Sequence, residues 1–222
     1  MTRISAKLIG LTQPIDIDAK TPEEFIAYAA RVSNPSNQKN VGTASGLLRY
    51  CIRNKHWSIF EMANAVIEVN APRDITRQLL RHRSFSFQEF SQRYSDNIEF
   101  TDREFRRQDE TNRQNSIDDL GKAAHRRASD LMALVQTISS SGYRELRELN
   151  VAKECVRVLL PEGLTMSRLY VNGTLRSWLH YLDVRDDIGV TQLEHVQLAR
   201  EIKKVLKVAF PVVFNLKSKE DG

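Results

Sequence analysis

Residues 81 to 94 read Arg81-His82-Arg83-Ser84-Phe85-Ser86-Phe87-Gln88-Glu89-Phe90-Ser91-Gln92-Arg93-Tyr94. Three cationic or titratable side chains stand together, followed by an apolar-polar alternation, a carboxylate, a hydroxyl and a further arginine. A stretch this polar is costly to bury unpaired and has no purpose on an ordinary surface. Read as extended from Glu89 onward, it places Glu89, Ser91 and Arg93 on one face and Phe90 and Tyr94 on the other. Arg93 and Ser91 suit a phosphate, because a guanidinium offers a planar fork of donors and a hydroxyl adds one more. An ionised Glu89 can only accept, so it suits an N–H or a sugar hydroxyl. Together they describe a site for a nucleotide with two distinct ends.

The segment before it reads as a short helix. Pro72 stands where a first-turn proline is tolerated, and Ile75 and Leu79 are spaced i, i+4 on a buried stripe. Gln78 and Arg81, spaced i, i+3, leave one flank of that helix and point to the same place. The plainer alternative is a basic helix end, where Arg81, His82 and Arg83 complement the negative pole of the helix.

Arg81-His82-Arg83, then seven residues and Ser91, with Gln78, Glu89, Arg93 and Tyr94 around them, resembles the motif of the flavin-dependent thymidylate synthases. The resemblance continues in order through Ala29-Ala30-Arg31-Val32-Ser33, through His56, Ser58 and Glu61, and through Val156-Arg157-Val158-Leu159-Leu160-Pro161. It reaches Thr174-Leu175-Arg176, His180 and Arg185, and spans roughly residues 25 to 210. It implies that Gln78, Leu79, Leu80, Arg81, Glu89, Phe90, Ser91, Gln92, Arg93, Arg157 and Arg185 bind deoxyuridylate (dUMP). It further implies that Ser58, Arg81, His82, Arg83, Glu89, Thr174, Leu175, Arg176 and His180 border FAD, and that Arg185 is catalytic. The family pattern has asparagine where Thr174 stands, and Asn172 is the other candidate for that amide. NADPH and 5,10-methylenetetrahydrofolate are the implied co-substrates, no metal is implied, and the implied assembly is a homotetramer with shared active sites. The implied fold is α+β, the thymidylate synthase-complementing protein fold, with a central, mainly antiparallel sheet flanked by helices.

Bulk composition agrees with an enzyme of small anionic molecules. The 222 residues suit one domain, 1–222, and 41% hydrophobic with 27% charged residues is the balance of a soluble globular chain. No run is long enough to span a membrane and the first residues lack a signal-peptide core, so a cytoplasmic protein is expected. The net charge of +5 is spread along the chain, which favours phosphorylated small molecules over nucleic acid. Cys51 and Cys155 both fall in apolar helical patterns and read as buried, inert thiols. Neither has the cationic setting that activates a thiolate, so ring activation by a cysteine nucleophile is not expected.

In chain order, residues 3 to 11 read as a strand. Thr21-Pro22-Glu23-Glu24 opens a helix with a capping box, with Phe25, Tyr28, Ala29 and Val32 expected inward. A second helix carries Leu47, Leu48, Cys51 and Ile52, and a strand runs through residues 65–69. Residues 97–118 form a polar excursion, helix restarts at Ser116-Ile117-Asp118-Asp119, and Ser139-Ser140-Ser141-Gly142 is expected to break it. The next helix should bury Ala152, Cys155, Val156 and Leu159. Within residues 164–183, Leu175, Trp178, Leu179 and Leu182 form a helical apolar face, and Asn172, Arg176 and His180 recur every four residues as a separate polar stripe. Leu193, Val196, Ile202, Val205, Leu206 and Ala209 line a last helix.

No Gly-x-Gly-x-x-Gly fingerprint is present, and strands do not alternate regularly with helices, so a doubly wound sheet is disfavoured. A rival from another class is a basic nucleic-acid-binding module, with Phe85, Phe87 and Phe90 as stacking platforms. Glu89 and Asp96 interrupt its basic track. A helical scaffold leaves the polar cluster unexplained. Arg185 has its own alternative, a surface arginine paired with Asp183, Asp186 or Asp187.

Overall fold

The computed structural model describes residues 3–215. Strand β1 (Ser5–Leu11) opens the chain, as the pattern of residues 3–11 predicts. Helix α1 (Pro22–Ala30) begins with the predicted capping box: Thr21 Oγ1 accepts from the Glu24 amide, and Glu24 accepts from the Thr21 amide. Its buried face differs from the expectation. Ile26 and Ala27 are buried while Val32 lies past the helix end and is exposed. Glu23 is buried too, because its carboxylate accepts from the Val212 and Val213 amides at the start of the last helix. Helix α2 (Ala44–Arg53) buries Leu48 and Cys51.

Strand β2 (Asn64–Pro72) runs directly into α3 (Arg73–Leu79), which buries Ile75 and Leu79 as predicted. Strand β3 (Ser86–Glu89) follows. The extended segment therefore ends at Glu89 instead of beginning there. Ser91–Tyr94 is a turn, closed by the Tyr94 amide on the Ser91 carbonyl (3.2 Å), and the Arg93 amide donates to Ser91 Oγ (3.3 Å). Glu89, Ser91 and Arg93 consequently do not share a strand face.

The 97–118 excursion is anchored. Arg103 pairs with Asp74 (2.8 Å) and Arg106 with Glu194 (2.8 Å), and a small hairpin joins β4 (Arg107–Gln108) to β5 (Ser116–Ile117). Ser116 and Ile117 are thus strand, and the long helix α4 (Lys122–Glu148) starts later than expected. It also runs straight through Ser139–Gly142. These residues do not break it because their small size serves packing: a Cβ on Gly142 would lie 3.1 Å from Leu159 Cδ1. Helix α5 (Lys153–Val156) is a single turn continued by a 3₁₀ turn at Arg157–Leu159. Only Val156 there is buried, while Ala152, Cys155 and Leu159 are exposed.

The largest departure is β6 (Met166–Thr174), a strand that takes in Asn172, which was expected on a helical stripe. Ser167, Leu169, Val171 and Gly173 are buried and the residues between them face out, the period of two that a half-buried strand requires. Asn172 is therefore an outward strand residue and cannot share a helical stripe with Arg176 and His180. Helix α6 (Leu175–Arg185) starts only at Leu175, with Thr174 as its N-cap accepting from the Ser177 amide (3.2 Å). Helices α7 (Leu193–Ala209) and α8 (Pro211–Phe214) complete the chain.

The sheet order is β1-β2-β6-β3, with every pair antiparallel, so the α+β expectation holds. One face carries Ala65, Ile67, Val69, Ala71, Leu169 and Val171 into a core with Trp178, Leu198, Ile202 and Leu206 from the covering helices. The pairing of β2 with β6 decides where the site forms. Asn64 lies opposite Thr174 and Pro72 opposite Met166, so α3 and α6 leave from opposite ends of this strand pair. Nine residues of strand span about 30 Å. Helices of 7 and 11 residues run back over it by roughly 10 and 17 Å, which brings their C-terminal ends together.

Candidate active site

His82 and Arg185 meet at that junction. Arg185 Nε donates to His82 Nε2 (2.9 Å), which makes His82 a neutral imidazole with its proton on Nδ1. Burial pushes His82 down to about 4, and the nearby charges of Arg185, His180 and Arg81 push the same way. Arg185 does not pair with its neighbouring aspartates. Asp186 is held by Arg200 and Lys203 at 2.8 Å each, and among the described residues Arg185 makes no ion pair. Burial lowers its own affinity for the proton, although it stays a cation.

Behind this pair lies a polar chain that the sequence reading missed. Gln78 Nε2 donates to Gln192 Oε1 (2.8 Å), and Gln78 Oε1 faces His195 Nδ1 (3.1 Å). His195 Nε2 faces the Tyr181 hydroxyl (3.2 Å), and the Tyr181 ring meets His82 edge-on at 5.1 Å. His195 is fully buried, and burial drives it to about 3, so it is neutral throughout the physiological range. Gln192 Nε2 donates in turn to Glu194 Oε2 (3.1 Å). Burial pushes Glu194 upward, but the Arg106 hydrogen bond and the charges of Arg103 and Arg106 overcome it and hold the carboxyl below its usual range. Arg106 Nη1 is buried without a hydrogen-bond partner. One signal existed in the sequence: Gln192, Glu194 and His195 are polar residues at the head of an otherwise apolar helix.

The remaining expected residues sort by position. Leu79 is fully buried and Leu80 packs on the core, so their side chains are structural. Arg81 and Arg83 are exposed beside His82. Glu89 is half-buried against Ser167 Oγ (2.9 Å) and Arg73 (3.5 Å), and Phe90 is fixed through its amide on the Arg168 carbonyl (2.8 Å). Arg93 pairs with Glu154 (3.3 Å), next to Ser91 and Gln92 in the turn, and Arg157 stands exposed on the 3₁₀ turn after α5. Among the described residues no hydrogen bond or ion pair joins this group to Gln78, His82 and Arg185. At the other end of α6, Arg176 pairs with Glu61, Ser177 Oγ donates to the Ser84 carbonyl (3.4 Å), and Ser58 is exposed on the 3₁₀ turn containing Glu61. His180 is exposed one turn above Arg176, while Leu175 is buried. Thr174 is committed to capping, and Asn172 is exposed on β6. His56 stacks edge-on against Tyr50 at 5.8 Å.

Residues 16–212 match the family model described as thymidylate synthase complementing protein. The chain belongs to that family. It is 46% identical over 211 residues to a probable flavin-dependent thymidylate synthase of Paramecium bursaria Chlorella virus 1, covering 95% of this chain and 97% of that one. It is also 46% identical over 213 residues, with the same coverages, to the flavin-dependent thymidylate synthase of Synechocystis. A crystal structure of the UMP/dUMP methylase PolB from Streptomyces cacaoi, bound with 5-Br UMP, superposes with a TM-score of 0.79 at 24% identity, over 96% of this chain and 93% of that one. This last likeness shows the shared fold.

A member of the thymidylate synthase complementing protein family needs room for flavin, and the residues present fit one. The rim from Arg81 to Arg83, with His180 and Arg185 near it from α6, concentrates cationic and titratable groups around His82. The carboxylate nearby, Glu61, is already neutralised by Arg176. Such a donor set suits the pyrophosphate of a dinucleotide.

Proposed function

We propose that this chain methylates dUMP reductively to dTMP, with FAD and NADPH as reductant and 5,10-methylenetetrahydrofolate as carbon donor. The observation that carries the reading is Arg185: a partly buried guanidinium, oriented through Nε by His82, whose terminal nitrogens make no hydrogen bond among the described residues. A desolvated cation without a carboxylate is fitted to negative charge that develops during a reaction. Arg185 would stabilise the charge that forms on the pyrimidine ring as it is polarised. Gln78 would orient the nucleotide, while Ser91, Arg93 and Arg157 would take its phosphate and Glu89 its sugar. Ser58, Arg81, His82, Arg83, Arg176 and His180 would hold FAD, with Thr174 and Leu175 contributing backbone only. When bound, FAD supplies the hydride that reduces the transferred carbon. No thiol is required: Cys51 is buried, with its thiol pushed up by burial, and Cys155 is exposed on α5, on the Arg93 side.

The phosphate-end residues turn to α5 while Gln78, His82 and Arg185 turn to α6 and α7. This separation supports a site completed between copies of the chain, and we propose the homotetramer. Leu131, Leu134, Val135 and Ile138 of α4 are exposed apolar side chains suited to burial in it. No helix among the described residues is long and apolar enough to cross a membrane. The exposed free thiol of Cys155 fits a reducing compartment, which supports a cytoplasmic location.

The test is Arg185→Lys, which keeps a cation and loses the planar fork. The variant should bind FAD and be bleached by NADPH as wild type is. Flavin reoxidation in a single turnover with saturating dUMP and methylenetetrahydrofolate should slow by roughly 10²–10³-fold. A wild-type rate would remove Arg185 from the chemistry, and a protein without flavin bands that retards oligonucleotides would favour the nucleic-acid module.

A further inference from the structure

A side-chain amide can present its oxygen or its nitrogen to a ligand, and only its partners decide which. Around Gln78 the decision can be followed to its source. The Glu194 carboxylate, ionised and clamped by Arg106 (2.8 Å) with Arg103 at 3.6 Å, can only accept. Gln192 must therefore turn its nitrogen to Glu194 and its oxygen to Gln78. Gln78 must turn its nitrogen to Gln192 and its oxygen to His195. His195 must carry its proton on Nδ1, which leaves Nε2 bare to accept from the Tyr181 hydroxyl. Each link has one solution once the carboxylate is fixed.

We propose that Glu194, Gln192 and His195 are positioning residues for the methylation reaction, acting as a directional relay that fixes which atoms Gln78 offers to the nucleotide. One N–H and one lone pair of the Gln78 amide remain beyond those used in the chain, and their sense is set about three side chains away by Arg106 and Arg103 of the 97–118 excursion. That excursion, which the sequence presents as a polar detour, thereby serves the site, since it supplies the cations that keep Glu194 ionised. A flipped Gln78 would present a donor where the nucleotide needs an acceptor, so affinity would suffer without any change in fold. The proposal rests on the reading that Gln78 touches dUMP, and the two are tested separately.

The experiment uses the full-length flavoprotein labelled with ¹⁵N-histidine, together with steady-state kinetics. In wild type, His195 should give the nitrogen shifts of a neutral ring protonated on Nδ1. Glu194→Gln replaces an obligate acceptor by an amide that can flip, so His195 should report a mixture of tautomers. KM for dUMP should rise about tenfold, the scale of one misdirected hydrogen bond, with kcat and flavin content nearly unchanged. The double variant Gln192→Glu, Glu194→Gln moves the obligate acceptor next to Gln78 Nε2 and should restore both tautomer and KM. A merely structural role for the Arg106–Glu194 pair would not be rescued by that exchange. Should Glu194→Gln not fold, Gln192→Leu breaks the same relay at a half-buried position and should raise KM alike. Wild-type His195 protonated on Nε2, or an unchanged KM in both single variants while Gln78→Leu raises it, overturns the relay. An unchanged KM in Gln78→Leu itself overturns the nucleotide contact and with it the positioning role, whatever the tautomer.

Discussion

Gly173→Ala tests how the sheet holds the Arg81–Phe85 turn. Gly173 is buried in β6, and a Cβ built on it would lie 2.2 Å from Phe85 Cδ1 and 2.3 Å from Cε1. Ordinary contact begins near 3.4 Å, so the ring must retreat by more than an ångström. It has little room: the Trp178 ring lies 4.3 Å away and Tyr181 6.0 Å, and Phe85 is only 7% exposed. Overpacking of this kind costs about 1–3 kcal/mol and occasionally more, and a rigid ring held on two sides belongs at the upper end. For a chain of this size, about 3 kcal/mol lowers Tm by roughly 6–12 °C. Denaturation should be followed at fixed protomer concentration, since assembly shifts the apparent stability. The mechanism is separable from general damage by adding Phe85→Ala. Alanine ends at Cβ and lacks the clashing Cδ1 and Cε1 atoms, so the double variant should be more stable than the sum of the single losses by at least about 1 kcal/mol. Because His82 precedes Phe85 by three residues, Gly173→Ala should also weaken dUMP binding, and the double variant should recover part of it. Additive losses, or a Gly173→Ala protein within about 0.5 kcal/mol of wild type, would refute the claim that close approach of Phe85 to the strand requires glycine.

Three further outcomes are expected. Arg93→Ala should weaken dUMP by about 1.5–3 kcal/mol, as a charge-assisted phosphate contact is lost, while leaving flavin content unchanged; calorimetric titration with wild-type affinity would exclude it as a phosphate ligand. Cys51→Ala with Cys155→Ala should still turn over, with the stability loss traceable to Cys51 alone because Cys155 is exposed; a folded, flavin-loaded but inactive double variant would restore a thiol nucleophile. His195 has its folded-state value lowered from 6.5 to about 3, so below 6.5 the unfolded chain binds the extra proton and stability falls with acidification toward 3. The expected slope is up to about 1.4 kcal/mol per pH unit from this group; denaturation between pH 6.5 and 4 should show it flattened in His195→Asn, and an identical slope would contradict the buried neutral imidazole.

What could be read from residues alone was local. The Thr21–Glu24 capping box and the Ile75–Leu79 stripe carry their structure in their own spacing, and both formed as read. The family motif located His82 and Arg185 without showing that they touch. Strand β6 was hidden because Leu175, Trp178, Leu179 and Leu182 impose a helical period that, extended backwards, swallows the alternation of Ser167, Leu169, Val171 and Gly173. Serines and glycine at 139–142 look like a break, yet in α4 they make space for Leu159. The turn at Ser91–Tyr94 is closed by one backbone hydrogen bond and by the Arg93 amide on Ser91 Oγ, a local serine-turn signal that the alternating pattern before it obscures. Gln192, Glu194 and His195 acquire meaning only against Gln78, 114 and 117 residues away. Partners at that separation are set by topology.

Neither β2 to α3 nor β6 to α6 has a connecting loop: Pro72 and Thr174 each end a strand and cap a helix. These joints therefore have no slack in which a length change can be absorbed. One residue inserted after Thr174 would turn every later position of α6 by about 100° and advance it by about 1.5 Å, carrying Arg185 off His82 while leaving the helix itself intact. Variation in length should thus be confined among relatives to places such as the 97–118 hairpin tip, and a designer shortening this chain would find the two joints the least forgiving places to cut.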